Sequence, residues 1–339
     1  MNRRELDAFV EHHQLSAANA DLALTLAGAR PTLAETSRFA VRALMLAGII
    51  SLAAGVVFFV AANWDALRVV GRFALLELLL LASLVLALSR PPPQALGRYA
   101  LLVGFVTTGA LLALFGQTYQ TGADIYELFL TWTLLALPFV LAGQWSVLWA
   151  AWILVLNIAL GLFCGFRPDG GMLWALFPGS GWATSGLLLI AALVNLALWA
   201  LAEFAYDRMP APLSAHTPPG WLRRFILTCA FFFATWAGCL AIAGYNQARW
   251  PVGAVAVILA GVGVYTARRR TDVFPLALVA ASIIALVTTL ISELHWHGLL
   301  RSSTGTPLLL ALWLIISSTA SGRVLMHLLQ RWRADRAPA

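Results

Sequence analysis

Three short polar segments and one isolated carboxylate hold the side chains of this sequence that could bind or react. The first segment is Asn63-Trp64-Asp65. The second runs from Gly116 to Glu127 and carries Gln117, Tyr119, Asp124 and Tyr126. The third is Glu293-Leu294-His295-Trp296-His297. Amides, carboxylates and aromatic rings in such company hydrogen-bond and stack on a solute, a sugar or a lipid headgroup. The same groups also cap helix ends and satisfy turn backbone, so both roles stay open. His295 and His297 with Glu293 offer metal donor atoms. An i, i+2 pair meets on extended chain and not on a helix, and no cysteine joins it, so no metal is assigned. Glu77 is the one carboxylate well inside a predicted span. An ionisable group at that depth is costly and points to function. It is either protonated or paired with Thr107, Thr108, Asn157 or Asn195, in a relay or in a structural interhelical bond. No phosphate-binding loop, HExxH or GxSxG is present, and no nucleophile sits beside a base, so no catalytic residue and no cofactor is assigned.

The elements that position these groups follow from composition. Of 339 residues, 61% are hydrophobic and only 11% charged, against about 45–50% and about 25% in soluble domains. That excludes a soluble globular enzyme, a disordered chain and a disulfide scaffold. Net charge is +7, but every basic residue is Arg and they lie in short loops between apolar runs, which is no nucleic-acid signature. Cys164, Cys229 and Cys239 are too few and too scattered for a disulfide framework.

Ten apolar runs are long enough to span a bilayer: 40–62, 69–89, 99–116, 126–143, 145–164, 183–206, 222–245, 250–267, 273–292 and 306–328. They lack barrel-like alternation, so they must be helical. With the amino terminus inside and sides alternating, 17 of the 22 arginines fall on the cytoplasmic side. Cytoplasmic loops are enriched in Lys and Arg, so this asymmetry sets an orientation with both termini inside. All three polar segments then lie on the outer side. Tryptophans fall at predicted span ends, Trp64, Trp182, Trp250 and Trp296 outside and Trp145, Trp221 and Trp332 inside, as an aromatic belt would place them.

The expected fold is therefore an all-α, polytopic transmembrane bundle of about ten spans. Residues 1–38 read as a cytoplasmic helical hairpin, with Leu6, Phe9, Val10 and His13 on one face and Ser16 capping a second helix that Gly28 and Pro31 end. That hairpin is either a cuff on the membrane surface or, through residues 1–37, a docking site for a membrane or cytoplasmic protein. Spans one to six occupy 39–206, a Pro-rich linker 207–221, spans seven to ten 222–329 and a tail 330–339. No cleavable leader is expected, because the first long apolar run starts near Phe39.

Two motifs carry a resemblance. Gly55-Val-Val-Phe-Phe-Val-Ala-Ala-Asn63-Trp64-Asp65, and Gly116-Gln117-Thr118-Tyr119-Gln120 followed by Asp124, Tyr126, Trp132 and Pro138, resemble the bacterial membrane-protein family known as domain of unknown function 2157. The hairpin before the first span resembles that family's start, and the likeness covers roughly residues 1–145. It implies a multi-span inner-membrane protein and supplies no catalytic residues to carry over. The functional expectation is a non-enzymatic protein of the bacterial inner membrane, with the lipid bilayer as its first partner and no nucleic acid. It would act through an outward polar pocket or partner contacts in envelope maintenance or assembly. A transporter or flippase for a small solute or lipid is the alternative, and an intramembrane enzyme the third reading.

Overall fold

The computed structural model describes residues 19, 32–62, 67–120, 122, 124–165, 184–205, 219–244, 250–269, 272–296 and 305–334. Asn63, Trp64, Asp65, Trp182 and His297 lie outside the described residues, as does the amino-terminal hairpin apart from Asn19. Among the described residues the long helices are α1 (Leu33–Ala62), α2 (Val69–Ser89), α3 (Ala95–Tyr119), α4 (Ile125–Gly143) and α5 (Ser146–Phe163), then α6 (Thr184–Ala200), α7 (Gly220–Ile242), α8 (Trp250–Arg269), α9 (Phe274–Trp296) and α10 (Gly305–Ala334). No strand occurs among the described residues. Nine of these helices, α2 to α10, are long and apolar enough to cross a membrane. α1 carries the tenth predicted span.

The exposed surface argues for lipid. Leu78, Leu88, Leu193, Val257, Ile315 and Met326 are each more than half exposed, and water would penalise such a coat. The tryptophans of the predicted belt divide. Trp250 and Trp221 stay exposed at the starts of α8 and α7. Trp145 packs edge-on to Tyr99, and Trp332 is buried.

The chain divides into two compact units, Met1–Ala74 and Leu75–Ala339. In the first, α1 is 30 residues long, about 45 Å, and exceeds the roughly 30 Å hydrocarbon core. It begins at Leu33, inside the segment expected to be hairpin. The reason is a capping box. The Thr32 backbone N–H donates to Glu35 Oε2 at 2.9 Å, and the Glu35 N–H donates to Thr32 Oγ1 at 3.2 Å. The Thr32 backbone bond, helped by the Thr32 hydroxyl, holds the Glu35 carboxyl below its usual range. A depressed carboxylate contributes helix stability above its unfolded pKa and loses it as pH falls through the folded value. The protection of the Thr32 amide, its slowing of exchange relative to the unstructured rate at the same pH, is therefore expected to fall on acidification across that window. The Glu35→Gln variant, which keeps an acceptor but no titrating group, should show no such step.

In the second unit, one cluster joins α2 to α5 through Ala87, Leu101, Phe105, Ala136, Val140 and Leu148. A larger one joins α6, α7 and α8 through Leu188, Ala192, Leu227, Ala234, Ala237 and Val255, with Leu278 and Leu286 of α9 packed on it. Ile153 of α5, with Leu222 and Ile226 of α7, connects the two. α6 and α7 make the most extensive helix pair, so the core runs across the Pro-rich linker. α10 packs on α9, and much of its apolar length is exposed.

Polar side chains fix the helix phases inside this apolar matrix. The Trp132 indole N–H donates to the Phe105 carbonyl at 2.9 Å, tying α4 to α3. The Trp152 indole donates to the Thr133 carbonyl at 2.8 Å, tying α5 to α4. Asn157 and Asn195 exchange two amide hydrogen bonds, at 3.1 and 2.8 Å, between α5 and α6. Thr235 donates to Ser282 at 2.7 Å, from α7 to α9. Without a hydrophobic drive between helices in lipid, such bonds and close small-residue packing hold the helices together.

Candidate functional site

Across the Gly116–Glu127 segment the described residues continue α3 to its end and begin α4. α3 stays helical through Tyr119, and Gln120 closes it in the left-handed region at φ 42°. Gly122 follows at φ 66°, where the missing Cβ removes the steric cost. Asp124 is extended and starts α4, but its side chain makes no capping bond to the helix. Between α4 and α5 the chain reverses at Gln144, also in the left-handed region at φ 42°.

Glycine spacing sets how α3 and α4 approach. A Cβ on Gly104 would lie 2.6 Å from the Phe139 ring, and one on Gly109 would lie 2.4 Å from the Trp132 indole. The helices are in close contact at these two levels. About two turns further on, a Cβ on Gly116 would meet nothing within 4 Å. Here α3 and α4 have parted, and an open groove of about 690 Å³ lies between them. That volume falls within the roughly 300–1,000 Å³ of small-molecule clefts.

One face of each helix lines it. α3 contributes Leu112, Ala113, Phe115, Gly116 and Gln117, and α4 contributes Ile125, Glu127, Leu128 and Thr131. Gln120, Gly122 and Asp124 complete the rim. The groove is thus apolar along its walls and polar at its mouth. Gln117, Gln120, Asp124 and Glu127 are all exposed.

Of the residues expected to bind, Gln117 and Asp124 come together here. Tyr119 and Tyr126 do not line the groove. Tyr119 sits against Phe115 at 4.8 Å between ring centroids, and Tyr126 packs edge-on to Phe163 of α5 at 5.2 Å. The Tyr126 hydroxyl also donates to Glu127 Oε1 at 3.4 Å. His295 falls within α9, and its side chain lies outside what is described. The structure adds Gln120, Glu127 and Thr131, whose convergence needs the helix phase. A signal for it existed: Asp124, Glu127, Leu128 and Thr131 follow the i, i+3, i+4, i+7 spacing of one helical face.

Glu77 lies within α2, about 12 Å from its Val69 end, and outside the groove lining. It is exposed, on a face with Leu78, Leu81, Val85 and Leu88. Its expected partners are engaged elsewhere. Thr107 and Thr108 donate to the carbonyls of Val103 and Gly104 on their own helix. Asn157 and Asn195 bond each other, and their amides also reach Ile153 and Ala191 carbonyls.

A second polar cluster, not evident from residue spacing alone, joins α6, α7, α8 and α9. Leu201–Ala205 leaves α6 as a π-turn, which turns Glu203 toward α7 and α8. Glu203 accepts from Arg223 at 2.9 Å and from the Tyr265 hydroxyl at 3.2 Å. Arg224 pairs with Asp272 at 2.8 Å, and Asp272 Oδ1 accepts the Phe274 N–H at the start of α9. The Arg269 guanidinium lies 5.6 Å from the Tyr265 ring centroid. Glu203 also sits in an apolar span window, Ser185–Phe204, so Glu77 is not alone in that respect. An acid just before a short linker and two arginines just after it were the available signal. Each pair is part-exposed, so each contributes under about 1 kcal/mol. Their effect is to fix where α6, α7, α8 and α9 end relative to one another.

Long apolar helices with a polar-mouthed groove define a multi-pass helical membrane protein. Residues 7–149 match the family model described as "Predicted membrane protein (DUF2157)". That stretch contains α1 to α4 and all of the groove. No curated protein and no solved structure matches the chain.

Proposed function

We propose that this protein of the bacterial inner membrane works without catalysing a reaction. In this reading it holds a small solute or a lipid headgroup in the α3–α4 groove, facing outward, in the service of envelope maintenance or assembly. The observation that carries it is the parting of α3 and α4 above Gly109. A tight glycine contact opens there into a cleft of ligand size with carboxylates and amides at its rim. Arginine asymmetry supports the outward orientation and termini on the cytoplasmic side. The amino-terminal 37 residues are proposed as a contact for a protein partner on that side. Cysteine placed at Gln120 in a cysteine-free background should react with an impermeant maleimide from outside intact cells. Reaction only after the membrane is opened would reverse the orientation.

Gly116→Leu tests the groove itself. The new side chain enters open space and replaces a helical glycine, so thermal unfolding in detergent is expected not to fall. The groove is filled. Mass spectrometry of solutes and lipids carried from native membrane should show one species depleted from the variant and retained by the parent. Identical sets from the two proteins would contradict a groove ligand.

Transport is the second reading, and the exposed Glu77 at mid-span favours it. A flippase or solute carrier that uses this carboxylate should lose movement in reconstituted vesicles on Glu77→Gln. Unchanged movement would leave the carboxylate without that role.

A further inference from the structure

Resting on the groove as a binding site, we infer that its ligand presents a primary ammonium group on an apolar body, with the amine-headed phospholipid as the occupant that best fits. The charged side chains in the lining are Asp124 and Glu127, and no Arg is among the lining residues. A bound anion would meet like charge from both carboxylates, while an ammonium group meets opposite charge. Asp124 is not spent on capping α4, although it occupies the capping position. Carbonyl oxygens of Gln117 and Gln120 supply further acceptors for the N–H groups of a primary amine. The Phe115 ring adds a face that attracts a cation.

The apolar part of the lining decides between a free amine and a lipid. Leu112 and Phe115 on α3 face Leu128 on α4 below the polar rim. From Leu112 to Gln120 the wall runs about 12 Å along α3. A small polyamine would leave this strip dry and unfilled. An acyl chain entering from the bilayer covers it, with the headgroup at Asp124 and Glu127 and the tail against Leu112 and Leu128.

The full-length protein in phosphatidylcholine vesicles, doped with a tail-photoactivatable lipid, tests this directly. Phosphatidylethanolamine and phosphatidylglycerol are compared, and crosslinked peptides are mapped by mass spectrometry. Phosphatidylethanolamine is expected to label residues 112–131 about fivefold above phosphatidylglycerol, the factor that a part-exposed ion pair supplies. The Asp124→Asn/Glu127→Gln pair should erase that difference; both positions are exposed, so the fold should be kept. Added putrescine separates the two sources. Displacement of the lipid label by putrescine, still sensitive to the two carboxylates, assigns the ammonium site to a soluble amine, and resistance assigns it to the lipid. Equal labelling by the two lipids, or a phosphatidylethanolamine preference that survives the double substitution, overturns amine recognition while leaving the groove occupied. Labelling of 112–131 no stronger than that of lipid-facing 78–88 removes the groove reading itself.

Discussion

Gly109→Leu is expected to destabilise the protein by about 1–3 kcal/mol and to loosen α4 from α3. A Cβ at this position would stand 2.4–2.6 Å from three atoms of the Trp132 indole, closer than real contacts allow. The indole is rigid and is held by its own hydrogen bond to the Phe105 carbonyl, so it cannot swing aside cheaply. Overpacking of this kind costs about 1–3 kcal/mol. Losing an interhelical hydrogen bond inside a membrane protein adds about 1 kcal/mol. Leucine's better helix propensity offsets about 0.8 kcal/mol of that, so the steric effect wins. Thermal or denaturant unfolding in detergent reads the result, and Gly116→Leu on the same helix is the internal control. Trp132→Leu in the Gly109→Leu background should recover part of the loss by removing the ring. If Gly109→Leu matched the parent within about 0.5 kcal/mol, the glycine contact would not be what spaces these helices.

Asn195→Leu is the second large effect, expected at about 1–2 kcal/mol. Asn195 is fully buried, and its exchange with Asn157 satisfies both amides across the α5–α6 interface. Removing either partner leaves a carbonyl oxygen of the other without a donor in an apolar interior. The surviving amide nitrogen still reaches its own helix, at Ile153 or Ala191, which keeps the cost below that of a fully orphaned side chain. Replacing both with leucine removes both unmet needs, so the double variant should regain much of what each single one loses. A double-mutant cycle should give a coupling of about 1 kcal/mol, inside the range for membrane helices. Strict additivity would mean that the amides act separately.

Helix positions were legible in the sequence because the bilayer demands long apolar runs with little else to confuse them. The predicted limits of the second span, 69–89, are those of α2. Ends were less legible where polar residues continue a helix past the lipid. α1 starts at Leu33 because Thr32 and Glu35 form a capping box, a T-x-x-E pattern that starts a helix directly after Pro31. α10 continues to Ala334, beyond the apolar run that ends near 328. The site was half legible. Composition singled out Gly116 to Glu127, but which side chains converge depends on the rotation of α3 against α4. That rotation is set by Gly104, Gly109, Phe139 and Trp132, which look like ordinary span residues. Glu203 was hidden for a related reason, since only the π-turn aims it across the linker.

The heaviest helix pairing, α6 with α7, joins the segments on either side of the Pro-rich linker, and Arg223 to Glu203 ties their ends. Three-dimensional continuity there is carried by packing and not by the peptide chain. Cutting the chain between residues 205 and 219 is accordingly expected to leave the two pieces associated in mild detergent, and pieces that separate would mean that this interface does not hold them.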